Sequence, residues 1–173
     1  MKKIAYIFII IVASFTSCTE EYSLEDNGFT LQEVPGYVAF SVAGASTTMP
    51  PTEASEADGT VALNVEIPTT SPFDVTVNYT FGGTAVYGED FTVDGATSAG
   101  GSIVIPRSTD INLDGLPDNA DINIQLLTDG VADGTKTLEV TLTSASNAEG
   151  DIAVGRGGTD LLRTATVVIA DVD

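Results

Sequence analysis

Histidine and tryptophan are absent from the 173 residues, cysteine occurs once, and lysine and arginine together number only six. Without histidine the chain lacks the usual acid–base group near neutral pH and the imidazole ligands of zinc sites. A lone cysteine, Cys18, excludes an internal disulfide, and its place near the N-terminus leaves the body of the chain without a thiol nucleophile. Lack of indole rings argues against a sugar-stacking platform built on tryptophan. Most enzyme chemistries are thereby disfavoured, and the expectation is a protein that is not an enzyme. Carboxylate pairs of the glycosidase kind stay open, because 25 acidic residues make many pairs.

Long apolar runs are also missing, apart from Ile4 to Phe15, which is too short for a membrane helix of about 20 residues. With Lys2 and Lys3 before it and Thr16, Ser17 and Cys18 after it, this run reads as an export signal over residues 1–17. Phe15-Thr16-Ser17-Cys18 resembles a bacterial lipobox, with Phe15 in place of the commoner leucine. That resemblance implies cleavage before Cys18 and acylation of its thiol and new amine, so the membrane is a partner through a lipid anchor. The competing reading is an ordinary signal peptide followed by a free thiol. Thr19 is not aspartate, and Glu20 and Glu21 resemble acidic export tags, which together point to the outer membrane and its exposed surface. Residues 18–35 are polar, poorly periodic and read as a tether.

Beyond the signal, four basic residues face 25 acidic ones over 156 residues, a net charge of −21. Such a chain repels nucleic acid and anionic membrane surfaces, so cations are its natural partners. An acidic exported protein made soluble by its charge is the plainer alternative.

Asp110 to Asp121 reads DINLDGLPDNAD, which lays out oxygen donors at the spacing of a calcium loop. Asp110, Asn112, Asp114 and Asp118 fall at positions 1, 3, 5 and 9, the Leu116 carbonyl at 7 and Asp121 at 12. Gly115 stands at position 6, where the chain must reverse sharply. The expected cofactor is calcium. No helical periodicity flanks the segment, so it resembles the Asp-rich loops of thrombospondin type 3 repeats and dockerins more than a helix-loop-helix sensor. A solvated acidic turn is the alternative, since these are ordinary turn residues.

From Tyr37 onward apolar residues alternate at period two between turn residues. Strands are expected around Val38–Val42, Val61–Ile67, Phe73–Phe81, Ser102–Ile105, Ile122–Leu127, Thr137–Thr143 and Thr164–Ala170. Seven short strands predict an all-β fold, an Ig-like seven-stranded antiparallel β-sandwich over residues 36–173, with 110–121 as an insertion. Ser144 to Arg163, rich in glycine, is expected to be a long surface loop rather than a strand.

Within this body, Gly83-Thr84-Ala85-Val86-Tyr87-Gly88-Glu89-Asp90-Phe91 resembles the G-T-A-x-x-G-x-D-[FY] signature of Calx-β domains. Glu56-Ala57-Asp58-Gly59, Leu127 to Leu142 and Ala165 to Asp173 resemble further segments of that family. The resemblance implies the Calx-β type of sandwich and, in those members that bind calcium, loop carboxylates at one end of the domain. Carried over position by position, the implied ligands are Glu56, Asp90, Asp129, Asp133, Asp171 and Asp173. Thr128, Lys136, Ala170 and Val172 depart from the family pattern, leaving room for one ion rather than several; the plainer alternative is that Asp90 only caps its turn and the other carboxylates are solvated. If successive strands reverse, these residues gather at one pole and the 110–121 loop lies at the other.

The function expected from all this is a non-catalytic, calcium-binding surface lipoprotein module whose loops are stiffened by the ion. The alternative is a calcium-dependent adhesin or accessory that binds a protein or glycan ligand. No nucleic acid partner is expected.

Overall fold

The computed structural model describes residues 36–44, 46–68, 71–107, 118–128 and 130–172. The signal segment, Cys18, the tether, Asp110, Asn112, Asp114, Leu116, Asp129 and Asp173 lie outside the described residues. Ten strands follow in chain order: β1 (Tyr37–Phe40), β2 (Thr52–Ser55), β3 (Thr60–Ile67), β4 (Val75–Gly83), β5 (Phe91–Val93), β6 (Gly101–Ile105), β7 (Asp118–Leu126), β8 (Lys136–Asn147), β9 (Gly150–Val154) and β10 (Thr164–Ala170). Among the described residues there is no α-helix, and none that could cross a membrane.

Two sheets face each other. One runs β1-β3-β7-β5, antiparallel throughout, and the other runs β2-β10-β8-β4-β6. The alternation seen in the sequence becomes the core, because odd positions of β3 (Val61, Leu63, Val65, Ile67) and even positions of β7 (Ile122, Ile124, Leu126) point to the same side. Opposite them lie Val75, Val77 and Tyr79 of β4, Leu138, Val140 and Leu142 of β8, and Ala165, Val167 and Ile169 of β10. This is the Ig-like sandwich that the pattern predicts.

All seven expected strands form, and three more join them. β2, sequence TEAS, has no apolar alternation and is held as a parallel edge partner of β10. β5 is three residues long, too short for periodicity to register. β9 corrects the reading of Ser144 to Arg163 as a loop. Here β8 continues to Asn147, whose side-chain oxygen accepts from the N–H groups of Glu149 (2.8 Å) and Gly150 (3.2 Å), and β9 returns. It pairs antiparallel with β8 and parallel with β1, so it joins the two sheets along one side.

The alternation in β8 breaks after Leu142 for a local reason. Asn78 pairs with Ser144 but its neighbour Tyr79 pairs with Leu142, leaving Thr143 as an extra residue. This bulge shifts the inward parity from even to odd, which buries Ala145. Two other ends differ from expectation. Phe73 stays outside β4, 38% exposed, because the Ser71 hydroxyl donates to its carbonyl at 2.6 Å and accepts from its N–H, forming a turn. Val42 lies beyond β1, which ends at Phe40.

Candidate metal centre

The glycine-threonine-alanine run after β4 folds around a single acceptor. Thr84 and Ala85 both donate their N–H groups to the Thr137 carbonyl, at 2.8 and 2.9 Å. Gly83 has φ +93°, and a Cβ there would lie 2.2 Å from the same oxygen. Only glycine fits. Two more residues on, the chain turns over Asp90: the Asp90 and Glu89 N–H groups donate to the Val86 carbonyl, and the Asp90 carboxylate accepts from the Val86 N–H. Gly88, φ +88°, donates to the Phe91 carbonyl and completes the turn. Phe91 anchors it, packing edge-on against Phe81 at 5.0 Å and Tyr87 at 5.5 Å. Asp90 is 3% exposed, so its first role is that of a buried turn cap.

Glu56 arrives from a different loop. A capping box between Ser55 and Asp58, in which the Ser55 N–H donates to Asp58 Oδ2 at 2.6 Å, starts the 3-10 turn Glu56–Asp58. Gly59, φ +78°, ends it. The Glu56 side chain faces inward, and the residue is 3% exposed.

The end of β7 draws these loops together. Leu126 donates its N–H to the Gly59 carbonyl, Leu127 to the Asp90 carbonyl, and the Thr128 hydroxyl bonds the Glu56 carbonyl at 3.4 Å. On the next loop, Gly134 donates its N–H to Asp171 Oδ2 at 2.7 Å, bringing in the segment after β10. Glu56, Asp90, Asp133 and Asp171 are therefore carried by four loops joined at one end of the sandwich. Asp133 is engaged by Lys136, with Nζ 2.6 Å from Oδ2. A cation of the chain itself thus occupies part of this acidic pole.

The donor chemistry is of the right kind for calcium, which takes carboxylate and carbonyl oxygens. The shell is incomplete, however. Among the described residues no three metal-ligating side chains come close enough to hold an ion. Asp129 and Asp173 are the remaining donors that the family resemblance names.

Asp118 and Asp121, the last two positions of the 110–121 spacing, lie in β7, which begins four residues earlier than its alternation of apolar residues indicates. Asp118 pairs across from inward-facing Ile67, and its Oδ2 accepts from the Ser71 N–H at 3.0 Å. Asp121 pairs across from Asn64, whose side-chain amide donates to its Oδ1 at 2.7 Å. Three residues apart in a strand, the two carboxylates point to opposite faces of the sheet. They are not brought together. Asp118 also stands about 27 Å along the strand from Leu126, at the end of β7 opposite the one that meets the Glu56 and Asp90 loops.

The same fold occurs in known proteins. The apo form of the CBD1 domain of Calx superposes with a TM-score of 0.55 at 19% identity, over 80% of this chain and 98% of that one. The fold is of the Calx-β type. The CBD2 domain of Calx gives 0.54 at 17% identity, covering 78% of this chain and 86% of that one. CBD12 of CALX1.1, a calcium binding domain, gives 0.51 at 18% over 80% of this chain and 44% of its own length. No protein-family model and no curated protein matches the chain.

Two things were missed from sequence. Lys136 was seen to replace an acid, but its bond to Asp133 was not, since an ion pair depends on where a loop returns. The two arginines of Ser144 to Arg163 have internal roles as well. Arg156 Nη1 donates to the Ser46 carbonyl at 2.7 Å and Arg163 Nε to the Leu142 carbonyl at 2.9 Å.

Proposed function

We propose that this chain is a non-catalytic calcium-binding module, carried at the outer membrane by a lipid on Cys18, in which the ion stiffens loops for a structural or binding role. The observation that carries the reading is that the four loops bearing Glu56, Asp90, Asp133 and Asp171 lie at one end of a Calx-β-type sandwich. Net charge supports it: compact acidic domains repel themselves, and a divalent ion relieves that repulsion at the place where carboxylates crowd. One ion is assigned to this pole, with Glu56, Asp90 and Asp171 helped by Asp129 and Asp173, because Lys136 already neutralises Asp133. A second is assigned to the inserted segment, held by Asp110, Asn112, Asp114, the Leu116 carbonyl and Asp118. Asp121 is left out because it faces the other side of the sheet.

Calorimetric titration of the full chain in detergent micelles with calcium tests both sites. Asp114→Ala is expected to remove one binding step and Asp90→Asn the other. A single step untouched by either substitution, or no heat at all, refutes the assignment. The anchor is tested separately by labelling cells with a radioactive fatty acid, where label on a Cys18→Ala variant would exclude acylation at that residue.

A further inference from the structure

The outer face of β3, β7 and β5 carries no lysine or arginine. Register sets its polar side chains in rows. Thr60, Gln125 and Thr92 lie side by side across three strands, and Ala62 pairs with Asn123 in the next row, beside which Asp94 leaves β5. Thr60, Gln125, Thr92, Asn123 and Asp94, together with Tyr87 and the Gly95–Ala96 turn, line a groove of about 530 Å³, within the range of small-molecule sites.

The groove is stiff. Gln125 Nε2 donates to the Gly59 and Leu126 carbonyls, and its Oε1 accepts from the Thr60 hydroxyl at 3.1 Å, which orients the amide and leaves oxygen lone pairs available. Tyr87 is held by stacking on Phe81, an edge contact with Phe91 and a 3.0 Å bond from its hydroxyl to the Ala96 carbonyl. By contrast, the side chains of Thr92, Asn123 and Asp94 make no hydrogen bond among the described residues. Gln125 and Tyr87, fixed in place before a ligand arrives, lose little entropy on binding, while Asn123, Asp94 and Thr92 have bonding capacity to offer.

The lining chemistry narrows the ligand. Asp94 is the only charged residue and it is acidic, so phosphate, sulfate, nucleic acid and acidic sugars are repelled. One carboxylate is too few for a metal site. Hydroxyl, amide and carboxylate groups about 4.8 Å apart across strands and roughly 7 Å apart along them, beside one rigid phenol ring, suit a ligand with many uncharged hydroxyls. We propose that this groove binds a neutral oligosaccharide, with Asn123 and Asp94 bonding its hydroxyls and Tyr87 packing against a ring face. The site lies on a sheet face, not in the acidic loops, and works without calcium.

The test is a glycan array of neutral and acidic oligosaccharides probed with the full chain in detergent micelles, followed by calorimetry on the glycans retained. Neutral glycans are expected to bind with or without chelator. Asn123→Ala and Asp94→Asn, both at exposed positions, are each expected to weaken binding about tenfold, the loss of one or two hydrogen bonds. Asp171→Asn at the acidic pole is expected to leave it unchanged, which separates this site from the calcium reading. Retention of acidic glycans only, no retention at all, or affinity unchanged in both groove variants overturns the proposal. So does displacement of bound glycan by an uncharged asparagine- and glutamine-rich peptide but not by free oligosaccharide, which would assign the groove to peptide.

Discussion

Asp90 carries two roles that one pair of substitutions separates. As a cap, its carboxylate accepts from the Val86 N–H inside a turn where the residue is 3% exposed. As a ligand, it supplies negative charge to the acidic pole. Asp90→Ala removes both. Hydrogen bonds to charged groups contribute about 1.5–3 kcal/mol, so in chelator this variant is expected to lose that much stability. For a domain of this size each kcal/mol moves Tm by roughly 2–5 °C, a fall of about 3–15 °C. Asp90→Asn keeps a carbonyl acceptor for Val86 while discarding the charge, so its loss in chelator is expected to stay below about 1 kcal/mol. Calcium at a hundred times its dissociation constant adds about 2.7 kcal/mol to the wild type, and less to the asparagine variant, whose neutral oxygen is the weaker ligand. The assay is thermal unfolding by circular dichroism, with and without calcium, for all three chains. If asparagine proves as damaging as alanine in chelator, the capping argument fails. An undiminished calcium increment in Asp90→Asn would remove this residue from the ligand set.

Gly83→Ala should cost more than about 2 kcal/mol in urea unfolding, because its Cβ meets the Thr137 carbonyl as well as a positive φ. Gly88→Ala, also at positive φ but with no atom within 4 Å, should cost less, and equal costs would show that the close contact does not matter. Tyr79→Phe removes a buried hydroxyl with no hydrogen-bond partner and is expected to be neutral or to stabilise by about 1 kcal/mol; a loss above that would reveal a partner. Burial, and then the nearby Tyr87, raise the Tyr79 phenol above 10.0, so the folded state holds this proton more tightly than the unfolded one. Ionising this phenol therefore costs the folded state more than the unfolded one, so stability is unaffected below the unfolded value and falls as pH rises from there through the folded value; the alkaline fall in Tm should be shallower in Tyr79→Phe. Lys136→Gln breaks a half-exposed ion pair, expected to cost about 0.2–1 kcal/mol in chelator, while calcium binds the acidic pole more tightly once the competing ammonium is gone. An unchanged affinity in calorimetry would place the ion away from Asp133.

Legibility followed the range over which each signal acts. Period-two alternation is a property of adjacent residues, and it named the seven principal strands; Val61, Leu63, Val65 and Ile67 read in sequence as they pack in space, whereas Val42 and Phe73 fall outside their strands. The nonamer from Gly83 to Phe91 was equally readable, since its turn depends on residues at most a few positions apart, plus one carbonyl from Thr137. Reading failed where pairing was distant or short. β2 and β9 are strands because β10, β1 and β8 offer them open backbone groups, not because TEAS or GDIAV alternate. Asp121 looked like a ligand by spacing and became an outward strand residue because Asn64 lay across from it.

The order of residues by itself thus determined the class of fold, the acidic surplus and the turn that Asp90 caps. Strand reversal also placed the loops of Glu56, Asp90 and Asp171 at one pole, whereas tertiary structure alone decided which bonds join them, that Lys136 reaches Asp133, and that Thr60, Gln125, Thr92 and Asn123 line one groove. The reason is physical. Side-chain direction along a strand repeats every two residues and is written locally, whereas neighbours across a sandwich are chosen by hydrogen-bond register and by packing between segments tens of residues apart.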